Sequence, residues 1–220
     1  GRRLSPMAIV WPCQVSVEAY AAAGREVMVP RPTCPACEAD MVFCGWYRRA
    51  VRDVDLAVYA LWVRRGRCSV CRGQNHALLP SFCLPGRLDV VAVIGSAISA
   101  VVMHEAVVSQ PPQPDAGVPA TTVRSWVRRH RQRAQELLFG LLGAAGMSAQ
   151  AGGFTGPAER SALVTLVGLG WALSVPLGLG SWPAVSVLTN GAWLRVRMNP
   201  RWEDAARRRL MIFMSGLGPP

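Results

Sequence analysis

Lysine is absent from this chain, and all 24 basic residues are arginine. That lack excludes little by itself, because GC-rich coding, to which the wealth of Ala, Gly, Pro and Val also points, has the same effect. Acid is the second scarcity. Thirteen Asp and Glu leave a formal net charge of +11 and a pI of about 10.6, a balance that favours a nucleic acid or an anionic membrane surface as partner. Beyond Asp115 the only carboxylates are Glu136, Glu159, Glu203 and Asp204, and the stretch between them is mostly apolar. Two-metal chemistry needs separated carboxylates around paired ions, so no catalytic core and no enzyme activity are expected. An adequate apolar run is missing from residues 1–20, which start basic and are interrupted by Pro6 and Pro12. No secretory signal is read there, and the start at Gly1 rather than Met reads as a trimmed or fragmentary sequence.

Against these absences stand seven cysteines. Four form two knuckles, Cys34-x2-Cys37 and Cys68-x2-Cys71, separated by 30 residues. Each C-x-x-C is a tight turn that aims two sulfurs at one point, and two turns supply the tetrahedral thiolate shell of structural zinc. The expected cofactor is therefore a single structural Zn²⁺, and the intervening chain has room for two strands, the plan of a zinc ribbon. Four thiolates leave no open coordination position for water, which argues against hydrolytic metal chemistry. A redox C-x-x-C needs one pair in a thioredoxin-like βαβ setting, which is not visible. His76 could replace one thiolate, but a histidine packing on the ribbon is the preferred reading. Cys13, Cys44 and Cys83 are read as small buried core residues, and the odd count fits a reducing, cytoplasmic compartment.

The expected fold class is α+β. Residues 1–30 form an N-terminal extension with a short helix around 17–23 and a strand-like 26–29. Residues 31–84 form the ribbon, with alternating apolar and polar positions over Met41–Arg48 and Asp55–Arg64 reading as antiparallel strands. A connector, 76–87, leads to a buried helix over Leu88–Met103, apolar almost all round. Residues 110–119, with three prolines in five positions, are a loop. The next helix is capped by Thr121 or Thr122 and carries Val123, Trp126, Val127, His130, Ala134, Leu137 and Leu138 on one face. It completes a helical unit over 85–139. A Gly/Ala/Ser-rich linker, 140–160, precedes a C-terminal region, 161–220, of mixed apolar character. Ser161–Gly180 lacks charge for 20 positions, long enough to span a membrane, and a second apolar stretch ending at Asn190-Gly191 alternates as a strand would.

Two basic surfaces stand out. The ribbon interleaves Trp46 and Tyr47 with Arg48, Arg49, Arg52, Arg64, Arg65, Arg67 and Arg72, a mixture suited to phosphates and exposed bases. Only Asp53 and Asp55 lie nearby in sequence to neutralise it. The later helix sets Thr121, Thr122, Arg124, Ser125, Arg128, Arg129 and Arg131 around a capped N-terminus, where amide hydrogens and the helix dipole suit a phosphate and the arginines could reach a major groove.

In order, Arg31-Pro-Thr-Cys-Pro-Ala-Cys37, Gly45-Trp-Tyr-Arg-Arg49, Arg64-Arg-Gly-Arg-Cys-Ser-Val-Cys71, His76-Ala-Leu-Leu-Pro-Ser-Phe82, Arg87-Leu-Asp89 and Thr121-Thr-Val-Arg-Ser-Trp126 resemble an uncharacterised bacterial family that joins a zinc ribbon to a helix-turn-helix. That family is similar to the N-terminal DNA-binding regions of insertion-element transposases. The resemblance covers about residues 20–138 and implies DNA binding connected with mobile elements. Nucleoid association is expected if DNA binding holds, and a homodimer is left open. One departure is visible: Ala106-Val-Val-Ser-Gln-Pro-Pro-Gln-Pro-Asp115, where a middle helix belongs, is too rich in proline to be helical. Two alternatives of other classes remain, a membrane-anchored protein with a cytosolic ribbon and Arg195 to Arg209 on the inner side, and a ribbon that serves as a protein-interaction module.

Overall fold

The computed structural model describes residues 8–35, 37–71, 75–104, 117–146, 156–195 and 207. Arg72, the proline-rich 110–116, the middle of the expected linker and nearly all of 196–220 lie outside these residues. The described chain is α+β, with four strands and five helices, as expected. The strands β1 (Ala8–Trp11), β2 (Met41–Arg52), β3 (Val58–Cys68) and β4 (Asn75–Pro80) form one sheet in the order β1-β4-β3-β2. β2 and β3 are a long antiparallel hairpin interrupted by a bulge between Phe43 and Gly45. β4 adds to β3 antiparallel, and β1 lies parallel to β4.

The helices are α1 (Val17–Ala23), α2 (Val91–His104), α3 (Ala120–Ala144), α4 (Ala158–Leu177) and α5 (Ser181–Leu188). α1 begins where the Ser16 hydroxyl accepts the Ala19 N–H at 3.1 Å and ends at Gly24, whose φ of 61° disfavours a side chain. It lies against β3, beside the part of that strand that β4 does not reach, and its Tyr20 hydroxyl donates to the Trp62 carbonyl at 3.1 Å. α3 packs on α2 and α4, and α4 packs on α5. α4 and α5 approach so closely that a Cβ on Gly170 would sit 2.7 Å from the Ser181 carbonyl oxygen.

One cluster of buried side chains joins these layers, drawing Val51, Leu61, Val63 and Leu79 from the sheet and Ile94, Ile98, Leu137, Leu166 and Trp193 from the helical side. Polar groups stitch the C-terminal part to the sheet and to the segment that follows β4. Asn190 accepts the Val10 N–H at 2.7 Å and donates to the Ala8 carbonyl at 3.0 Å. The Ser186 hydroxyl donates to the Cys83 carbonyl at 2.9 Å.

Several local expectations are corrected. The strand-like 26–29 is not a strand, and β1, which the sequence reading passed over between two prolines, takes part in the sheet instead. The connector 76–87 begins as β4, because its backbone completes the ladders of both β1 and β3. Thr121 and Thr122 do not cap α3. Pro119 holds the N-cap position with a φ of −57°, and both threonines fall in the first helical turn. α3 continues through Gly140–Ala144, which had read as linker, because Leu141 and Leu142 are buried in the main core. The stretch expected to alternate as a strand is α5: Ala184 to Leu188 are all buried, so period-two alternation does not describe it.

Candidate metal centre

Both cysteine knuckles sit at the open end of the β2–β3 hairpin. The first precedes β2 and the second follows β3, and the register that pairs Met41 with Cys68 brings them together. In the first knuckle the Cys34 N–H donates to the Ala39 carbonyl and the Glu38 N–H to the Cys34 carbonyl, each at 2.8 Å, closing a turn in which Glu38 has a φ of 62°. In the second the Cys71 N–H donates to the Cys68 sulfur at 3.3 Å.

The four sulfurs of Cys34, Cys37, Cys68 and Cys71 all lie within 4.8 Å of one another. Cys34 Sγ is 3.8 Å from Cys71 Sγ, and Cys37 Sγ is 3.5 Å from Cys68 Sγ. A tetrahedron with Zn–S bonds of about 2.3 Å has S···S edges of about 3.8 Å, whereas a disulfide needs about 2.05 Å. The donor set therefore fits a metal ion, and its geometry is that of a closed, all-sulfur shell. The chemistry agrees. The Cys71 N–H contact brings the Cys68 thiol down to about 7, while the shared hydrogen bond with Cys37 and burial push the Cys71 thiol up to about 12. Crowded sulfurs ionise at one another's expense unless a cation stands between them. His76 is buried on β4 and is not one of the converging ligands. Cys13 and Cys83 are buried as expected, but Cys44 is exposed at the β2 bulge, where the extra residue turns its side chain out.

The hairpin bears its arginines in two ways. On the face away from the main core, Arg64 lies 4.3 Å from the Phe43 ring centroid and 4.4 Å from that of Trp46. Arg48 and Arg25 sit over Trp62 at 5.7 and 4.0 Å. Such stacking holds the guanidinium planes and the rings in one surface. On the core-side face, Arg65 lies over Tyr47 at 4.9 Å, and Arg49 donates to the Leu84 carbonyl at 2.6 Å and to that of Arg87. Arg48, Arg65 and Arg67 are exposed, whereas Arg49 and Arg64 are partly covered. Arg52 pairs with Asp89 at 2.7 Å. That carboxylate, distant in sequence, was missed when only Asp53 and Asp55 were weighed against the ribbon's charge. The Arg87-Leu-Asp89 motif was its visible trace.

On α3, Thr121, Arg124, Arg128 and Arg131 are exposed, while Thr122, Ser125 and Arg129 are half-buried. Arg129 has a buried Nε without a hydrogen-bond partner, and its charge helps to lower the pKa of Arg87, after the larger effect of burial. Arg131 is 3.9 Å from Glu159. Between α2 and α3 a groove of about 260 Å³ is lined by Val101, Val127, Arg124, Arg128 and Arg131 among others. His130, expected on the packing face of this helix, is buried there, and its two hydrogen-bond partners are what the sequence did not show. Its Nδ1 accepts the Trp193 indole N–H at 3.1 Å, so its Nε2–H is left to donate to the Glu159 carbonyl at 2.8 Å.

Residues 34–126, fewer than half of the 220, match a family described as a domain of unknown function, DUF6431. The matched span runs from the first knuckle into α3. No curated protein and no solved structure matches the chain.

Proposed function

We propose that this chain is a zinc-dependent DNA-binding protein, a small regulator or an accessory of a mobile element, with no catalytic core of its own. The reading rests chiefly on α3, where Arg124 and Arg128 stand exposed one turn apart on a helix whose other side is fixed in the core. Guanidinium groups on such a rigid support can follow a phosphate backbone or enter a groove. The outer face of the hairpin adds arginines stacked on Trp46 and Trp62, and the net charge of +11 favours a polyanion throughout. Zinc's part is structural, and a reducing compartment such as the cytoplasm keeps its thiolates available.

The test is binding of the zinc-loaded chain to random duplex DNA at several salt concentrations. Affinity should fall steeply with salt, and Arg124→Ala or Arg128→Ala should each reduce the log–log slope by about 0.9. A flat salt response sinks the reading. Unequal losses across a panel of sequences would assign these arginines to base edges, and equal losses to phosphates.

A second reading draws on α4, a helix of 20 residues long and apolar enough to cross a membrane. Val164, Val167, Trp171 and Val175 lie on its exposed side, with Trp171 73% and Val175 83% accessible. Membrane anchoring predicts that the full chain stays with the membrane fraction after mild lysis without detergent. Recovery in the soluble fraction rejects it.

A further inference from the structure

A cleft of about 430 Å³ opens on the core-side face of the sheet, on the side opposite the stacked Trp46–Arg64 surface, and Tyr47, Arg49, Arg65, Asn75, His76 and Arg195 are among its lining residues. Three of these are arginines and none is a carboxylate. Arg49 is held in place by the carbonyls of Leu84 and Arg87, which use one terminal nitrogen. Arg65 is steadied on the Tyr47 ring, and neither Arg65 nor Arg195 makes a side-chain hydrogen bond to another described residue. Burial also lowers the pKa of Arg195, the sign of a cation short of compensation. Lining one hollow with three arginines and no carboxylate costs desolvation, which a bound anion offsets.

We propose that this cleft binds a phosphomonoester dianion carried on a molecule of about mononucleotide size. The volume falls in the ordinary range of small-ligand sites, about 300–1,000 Å³. A dianion matches in charge a cleft lined by three arginines and no carboxylate, and its three terminal oxygens can accept from Arg65, Arg195 and the free edge of Arg49. Tyr47 and Asn75 supply further polar contact along the wall. This assignment is independent of DNA binding through α3, because none of the cleft's lining residues belongs to that helix.

Calorimetric titration of the zinc-loaded chain with inorganic phosphate, adenosine monophosphate and adenosine tests it. Phosphate and the monophosphate should bind saturably and adenosine should not. Arg65→Ala, at an exposed position that carries little folding burden, and Arg195→Ala should each weaken the monophosphate about tenfold or more, while Arg124→Ala should leave it unchanged. Absence of saturable binding, equal binding of adenosine, or equal loss in the Arg124 variant overturns the proposal. Competition with a short oligonucleotide identifies the source of the phosphate. Displacement only by the 5′-phosphorylated strand points to a strand end, and displacement by neither points to a free metabolite. Equal displacement by the unphosphorylated strand overturns a monoester site.

Discussion

Around the four cysteines, Ile9, Met41 and Leu78 are the buried apolar side chains that pack with Cys34 and Cys68, whereas the second cluster runs from Ala8 to Leu194 and draws on all five helices and the sheet. The two ends of the hairpin are thus secured by different means. At its turn end β2 and β3 lie on a broad apolar body, with Val51, Leu61 and Val63 buried there. At its open end the apolar area is too small to close two loops by itself, and small cores of this kind rely on a metal or another staple. The difference teaches where an ion would be needed: in closing the knuckles, while the helical body has its own core.

Removing the ion should break that comparison most visibly. With zinc as the proposed ion, the ribbon's closure would draw on a binding free energy that, for structural zinc sites, is about 10–16 kcal/mol in apparent terms. With chelator present, or in a Cys68→Ser variant, hydrogen exchange should lose protection at the open end of the hairpin, residues 32–43 and 66–71, while its turn end, α2 and α3 keep theirs. Simultaneous loss in the helices would mean that sheet and body unfold as one unit. Elemental analysis of the intact chain should find about one zinc per molecule.

A smaller effect is expected at the joint between the two regions. Asp89 is buried at the entry to α2 and pairs with Arg52 at the end of β2, where the Arg52 N–H also donates to the Leu88 carbonyl at 2.8 Å. Asp89→Asn leaves a poorly solvated guanidinium and should cost about 3 kcal/mol in chemical denaturation. A loss below about 1 kcal/mol would reduce the pair to a surface contact.

The third prediction concerns the body alone. Burial lowers the pKa of His130, and its Nδ1 is already occupied by the Trp193 N–H. Above the ordinary value of about 6.5 both folded and unfolded chains hold this histidine neutral. Below it the unfolded chain takes up a proton that the folded chain resists, so stability falls with pH by at most about 1.4 kcal/mol per unit until the folded pKa is reached. The melting temperature of His130→Leu, lower at neutral pH, should fall less between pH 6.5 and 5. An unchanged slope would remove His130 from the acid response.

Local patterns were legible where a short stretch of chain carries its own geometry. The C-x-x-C spacings announced both knuckles, and Ser16 and Gly24 bracket α1 within the span where a short helix was expected. Other features depend on distant partners. β1 is a four-residue run whose strand character comes from β4, its partners lying 69 residues downstream, and Asp89 acquires its role only when the hairpin brings Arg52 to it. α5 carries a run of buried residues that gives no period to read. Cys44 looked like core because cysteine usually is, and the bulge that exposes it has no signature beyond Gly45.

The Asn190 carboxamide does for β1 what a neighbouring strand would do, accepting from Val10 and donating to Ala8. β1 is an outer strand of the sheet, and an outer strand with idle amides and carbonyls invites another chain to add to it. One side chain, presented by the turn after α5, closes that invitation. Growth of the sheet through intermolecular pairing is left to β2, whose bulge and arginine-bearing faces make it a poor template. An Asn190→Ala chain would accordingly keep its fold and gain a sticky border.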